Sequence, residues 1–301
     1  MKESTKVLMK KHGWRWDKAI HNYLYFKFYY PYVSILSKIF IPLGYLTWFK
    51  PLKYAGNFVF NRYHSKVLSS EDTTKIFTLN EDINLVSDEN KKIVPYKYAH
   101  KILFKDHEFI VVMDCPCKKT FNAPKEKINS CFVVGSGTGK FWLDSCQKYN
   151  PRQVKREEAL QIIKDFRKEG YITQAFFKVA TGGSTGVICT CHPDYCVSLR
   201  ASKLTRKIHP DTTMTMKSGY SVKWDEKKCK KCGTCIKTCN FGNIKLDKNG
   251  RIYDQKECMG CELCVEHCPN GALTLFIDKA KPLPLDMDYV KVKIKETELK
   301  N

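Results

Sequence analysis

Eight of the fifteen cysteines stand in two copies of one pattern: Cys229, Cys232, Cys235 and Cys239 in CKKCGTCIKTCN, then Cys258, Cys261, Cys264 and Cys268 in CMGCELCVEHCP. Thiolate is a soft ligand that suits zinc, copper(I) and iron–sulfur clusters, and the spacing C-x2-C-x2-C-x3-C chooses among them. Two-residue gaps let three successive thiolates converge on one iron–sulfur cube, while the fourth cysteine of each run normally reaches across to the other cube. The expected ligand sets are therefore crossed. Cys229, Cys232, Cys235 and Cys268 hold one [4Fe–4S] cluster, and Cys258, Cys261, Cys264 and Cys239 hold the second.

Pro269 follows the second run, as the pattern has it, but Asn240 follows the first. Proline only shapes that turn, so ligation survives the change. Asn240 keeps an N–H that proline lacks, and with it a means of altering the local backbone and the cluster's potential. The offset of 29 residues from Cys229 to Cys258 marks an internal duplication, each half adding a short strand, GNIKLD and GALTLF. Residues 221–278 resemble a bacterial-type two-cluster ferredoxin, which implies a pseudo-twofold α+β module.

The other seven cysteines lie upstream. Cys115 and Cys117 follow the apolar run FIVVMDC, Cys131 and Cys146 flank a glycine-rich stretch, and Cys189, Cys191 and Cys196 fall in GVICTCHPDYCVSLR. In extended chain the two side chains of a C-x-C pair project to one face, because strand periodicity is two. Cys115, Cys117, Cys189 and Cys191 are thus the expected ligands of a third centre, with Cys131 and Cys196 in reserve. Thiolate softness admits an iron–sulfur cluster or tetrahedral zinc, and the alternative is a set of buried core thiols. Cys146 reads as structural.

Residues 92–278 also resemble uncharacterised ferredoxin-like proteins of anaerobic bacteria and archaea. The likeness rests on CPCK at Cys115–Lys118, the helix EEAL ending at EGYI, and the block ICTCHPDYC ahead of the dicluster motif. His192 and Tyr195 depart from it where cysteines are expected, which leaves the number of middle-domain clusters open. His192 reads as a spectator, a donor to sulfur or an imidazole ligand. The resemblance implies a well-reduced or anaerobic cell and supplies no reaction.

The elements that must position these thiols give an α+β chain in three parts. Residues 1–68 form an aromatic-rich helical region and 69–210 a cysteine-rich α/β domain. After a linker at 211–220 come the ferredoxin domain, 221–278, and a tail, 279–301, whose YVKVKIKE reads as a half-buried strand. VPYKYAHKILFKD has helical spacing, REEALQIIKDFRKEGYI is an amphipathic helix stopped at Gly170, and VATGGSTGV reads as a hairpin turn. In VVGSGTGKF, Val134 stands where a phosphate-binding loop needs glycine and Phe141 where it needs a hydroxyl. Gly135, Gly137 and Gly139 are expected in a flexible turn.

The net charge of +21 is uneven: residues 1–62 carry eleven Lys or Arg against Glu3 and Asp17. Seventeen aromatic residues fall between Trp14 and Tyr63. The window 31–49 approaches the length of a membrane span, but Lys38, Pro42 and Gly44 interrupt it. Basic residues mixed with aromatic ones suit helices lying on an anionic membrane surface; packing against the rest of the protein or a partner is the alternative. No nucleic-acid motif is present, and none is expected as a partner. The start of the chain has no apolar stretch of signal-peptide type, so a cytoplasmic protein, peripheral at the inner face of the cell membrane, is expected. The expected function is relay of single electrons between redox proteins through two [4Fe–4S] clusters, with a third centre in the middle domain. An iron–sulfur oxidoreductase and a regulatory or nucleic-acid-binding cluster protein are the alternatives.

Overall fold

The computed structural model describes residues 2–10, 14, 16–43, 63–79, 83–84, 101–104, 106–178, 184–208, 214–248 and 250–288. The centre of the molecule is a mixed, mostly antiparallel sheet in the order β6-β4-β5-β8-β7-β1-β9. Its strands are β1 (Tyr63–Leu68), β4 (Ile110–Asp114), β5 (Asn129–Val134), β6 (Arg152–Val154), β7 (Ile172–Lys178), β8 (Ser184–Cys191) and β9 (Thr215–Met216). Off this path, β2 (Ile83–Asn84) pairs with β3 (Lys101–Phe104), which runs parallel to β8. Lys101–Phe104 is thus strand, not the helix its spacing predicted, because the edge hydrogen bonds offered by β8 outweigh a weak local preference.

Period-two alternation sorts the strand side chains into two layers. Val111, Met113, Cys131, Val133, Cys189 and Cys191 face one core, which also takes Tyr25, Phe26, Tyr29 and Trp142. Ile110, Val112, Phe132, Val134 and Ile188 face the other, packed with Ile76, Ala159, Ile163, Leu285 and Met287. Helices α1 (Glu3–Lys10), α2 (Trp16–Lys27) and α3 (Tyr29–Leu43) precede the sheet. Bonds from Phe28 N to Leu24 O and from Tyr32 N to Phe28 O carry α2 almost without break into α3. Their inner face is core, with Phe26 edge-on to Trp142 and Tyr30 N donating to Tyr149 Oη at 3.0 Å. No helix among the described residues is long and apolar enough to cross a membrane.

Residues 214–218, within the stretch expected as a linker, are buried or nearly so and supply β9, where Thr215 joins a buried hydroxyl network with Ser65 and Ser198. Gly137 and Gly139 lie inside a helix rather than a flexible turn. A Cβ at Gly139 would come within 2.8 Å of the Phe109 ring, so glycine permits that close approach. The YVKVKIKE segment, residues 179–183 of the VATGGSTGV stretch and residues 44–62 lie outside the described residues.

The C-terminal module has two small antiparallel sheets: β10 (Tyr220–Trp224) with β13 (Leu273–Ile277), and β11 (Ile244–Asp247) with β12 (Gly250–Tyr253). First strand pairing with last brings the two halves of the duplication together.

Candidate metal centres

In the C-terminal module each cysteine run is a loop followed by a short helix, α9 (Thr234–Thr238) or α10 (Leu263–Glu266) in our numbering. Cys239, from the end of the first run, comes to line one closed cavity with Cys258, Cys261 and Cys264 from the second. The cavity leaves about 20 Å3 of free space, with apolar walls from Val222, Ile244 and Met259. These are the four residues of the crossed set. Burial pushes the Cys261 thiol up to about 12 and raises Cys264 further, so a metal centre is what makes thiolates tolerable there. Gly260 makes the loop possible: its φ is +63°, and a Cβ would collide with Ser218 Oγ and the Tyr220 backbone.

Cys229, Cys235 and Cys268 pack together around the smaller core of Val222, Ile244 and Leu273, while Cys232 is exposed. Sulfur here receives donors of the kind that tune a cluster: Arg251 Nη1 to Cys229 at 3.5 Å, Ala272 N to Cys268 at 3.3 Å and, in the other set, Gly260 N to Cys258 at 3.4 Å. Lys227, Lys228, Lys230, Lys231 and Lys237 are exposed around this end.

The other end is docked on the central sheet. Arg167, on α7 (Arg156–Lys168), is 3% exposed, donates through Nη2 to Cys261 O at 2.8 Å and pairs through Nε with Glu266 at 2.8 Å. His267 Nε2 meets Lys168 O at 3.0 Å, and Ser70 N, in α4 (Ser70–Phe77), donates to Glu262 at 2.6 Å. Asn240 Nδ2 donates to Gly170 O at 2.6 Å, so the residue that replaces the pattern's proline serves to hold the two parts together. That use of Asn240 had no signal in the motif.

In the middle domain Cys115, Cys117, Cys189, Cys191 and Cys196 line a second cavity, with about 10 Å3 of free space. Cys189 and Cys191 project from one face of β8, as their spacing predicts. Cys115 and Cys117 are not extended: Cys115 caps helix α5 (Pro116–Thr120), whose first residue is proline, the favoured start, and Cys117 is in its first turn. Cys196, expected only in reserve, lines the cavity just ahead of α8 (Val197–Ile208). Cys131 does not line it; it faces Cys189 across β5 and β8 with Sγ–Sγ 3.0 Å. Cys146 is buried away from the cavity at the end of α6 (Ser136–Ser145). His192 lines the cavity, its Nδ1 accepting from Asp194 N at 3.3 Å and its ring stacked near Tyr171 and Tyr195.

Tyr29 closes the cavity from α3. Lys118 adds a cation that is 1% exposed, donating to Ser130 Oγ at 2.7 Å and Thr190 Oγ1 at 3.3 Å and lying over the rings of Phe166 and Tyr171. A hydrogen bond from Cys117, with Lys118 nearby, lowers the Cys115 thiol to about 6, whereas burial raises Cys189 and Cys191. Among the described residues no three His, Cys, Asp or Glu side chains converge closely enough for a single metal ion, the two ferredoxin runs included.

Residues 228–276 match the family model of the 4Fe-4S dicluster domain. That span holds all eight cysteines of the two runs, and it identifies a ferredoxin-like iron–sulfur domain with an electron-transfer role. No curated protein matches the chain.

Proposed function

We propose that the protein relays single electrons between redox proteins through two [4Fe–4S] clusters, acting peripherally at the inner face of the cell membrane. What carries this reading is the convergence of Cys239 with Cys258, Cys261 and Cys264 on one cavity, since a shared pair of runs is how a two-cluster relay is built. A bound cluster supplies a one-electron couple. The chain's residues bury Cys264 of the second site, aim N–H donors at sulfur and leave the first site at the surface beside Cys232. The lysines around that exposed end favour a negatively charged redox partner.

The membrane part of the reading rests on Trp16, Ile20 and Leu24 on α2 and Phe28 at its junction with α3, spaced four apart, continued by Ile35 and Ile39 on α3. All six side chains are exposed between 46% and 64%, in a region whose charge is strongly positive. A third centre in the middle domain, iron–sulfur or zinc, belongs to the same reading. The oxidoreductase alternative places catalysis at the middle-domain centre of Cys115, Cys117, Cys189 and Cys191, which line one cavity.

The test is reductive titration of the anaerobically reconstituted full chain. A relay takes up electrons reversibly with no substrate present, and Cys239→Ala removes the cluster of the Cys258 run while leaving that of the Cys229 run. Loss of the Cys229-run cluster instead would refute crossed ligation, and redox change only on addition of a small molecule would favour the enzyme.

A further inference from the structure

The middle-domain cavity gathers five soft ligands beyond the eight of the dicluster domain, on three separate elements. Like the cavity bounded by Cys239, Cys258, Cys261 and Cys264, it is lined by thiols from separate elements and leaves little free space, about 10 against about 20 Å3. A single zinc with four thiolates at about 2.3 Å draws its ligands much closer than a cube does. No set of side chains among the described residues is gathered for one ion, and the same holds for the two runs whose spacing specifies cubes. The cavity and the cube site share this arrangement.

Charge points the same way. Lys118 is buried, and its bonded partners Ser130 and Thr190 carry no charge. A buried ammonium needs a counter-charge, and Lys118 lines the same cavity as the sulfurs of Cys115, Cys117, Cys189, Cys191 and Cys196. A thiolate-ligated cluster is anionic and would meet that need. Position fits as well. Cys261, Met259 and Leu263 of the dicluster domain pack on the same core as Cys115, Cys117, Cys191 and Cys196.

We propose that Cys115, Cys117, Cys191 and Cys196 hold a third iron–sulfur cluster in this cavity, with Cys131 and Cys189 left as a thiol pair beside it. Cys189 is assigned to that pair because its sulfur lies against Cys131, which is outside the cavity. The ligand set thus differs from the two C-x-C pairs suggested by spacing alone. The proposal deepens the electron-transfer reading and rests on it.

The experiment is iron and zinc analysis, with low-temperature EPR, of the full chain loaded anaerobically with iron and sulfide. The unaltered chain should hold about twelve irons, three cubes' worth. Cys117→Ala and, separately, Cys196→Ser should each fall to about eight with the dicluster signal intact, which also shows that the variant has folded. Cys189→Ala should keep about twelve. Eight irons in the unaltered chain, with or without stoichiometric zinc, overturns the third cluster; loss of iron in Cys189→Ala with retention in Cys196→Ser overturns the ligand set. Failure of the relay reading looks different: the dicluster signal itself is missing.

Discussion

Cys146 lines neither thiol cavity, and burial governs its chemistry. Its Sγ donates to Phe26 O at 3.6 Å, and burial pushes the group from 9.0 to about 12, against a small opposing pull from Lys148. Between these values the unfolded thiol ionises while the folded one keeps its proton, so the folded state binds more protons and loses stability as pH rises from 9.0 through about 12. The slope from this single group is at most about 1.4 kcal/mol per pH unit. In alkylation followed by mass spectrometry, native protein at mildly alkaline pH should leave Cys146 unmodified while denatured protein labels it. Labelling at equal rates in both would show that the side chain is not sequestered.

At the scale of elements, the contact between α7 and the loop of the second cysteine run depends on one buried arginine. Arg167 satisfies Cys261 O and Glu266 together, and its Nη2 lies 3.9 Å from Glu262. Removing one partner of a buried ion pair leaves an uncompensated charge and costs about 3–5 kcal/mol. Arg167→Met should therefore speed hydrogen exchange in residues 258–266 and the end of α7. It should also make the Cys258-run cluster more sensitive to oxygen than that of the Cys229 run. Unchanged exchange would mean that His267 and Asn240 suffice to hold the domain.

At the scale of the whole molecule, α2 and α3 have two apolar faces. Tyr25, Phe26 and Tyr29 are core, so deleting the N-terminal region would strip the sheet and uncover the thiol cavity. The membrane reading is better tested by replacing Trp16, Ile20 and Leu24 with Ser on the outer face, 64%, 51% and 46% exposed. The intact chain should sediment with anionic vesicles, less so as salt rises, and the triple variant should bind at least about tenfold more weakly with its iron content unchanged. Equal binding by both chains would shift the role of this face to contact with a partner protein.

The two cysteine runs determined their own chemistry, because ligand spacing within a short loop is a local property. The helix ending at Gly170 and the strand Ile110–Asp114 were legible for the same reason: each carries its periodicity and its stop signal in adjacent residues. What the sequence could not settle was which distant groups meet. Pro116 turned Cys115 and Cys117 into a helix start, the register of β5 on β8 set Cys131 against Cys189, and the entry to α8 brought Cys196 into the cavity. Likewise the bond from Asn240 to Gly170 and the burial of Lys118 among thiols exist only once the sheet has brought residues far apart in sequence side by side. Spacing constrains residues along the chain, whereas strand register and helix docking decide which of them share a cavity.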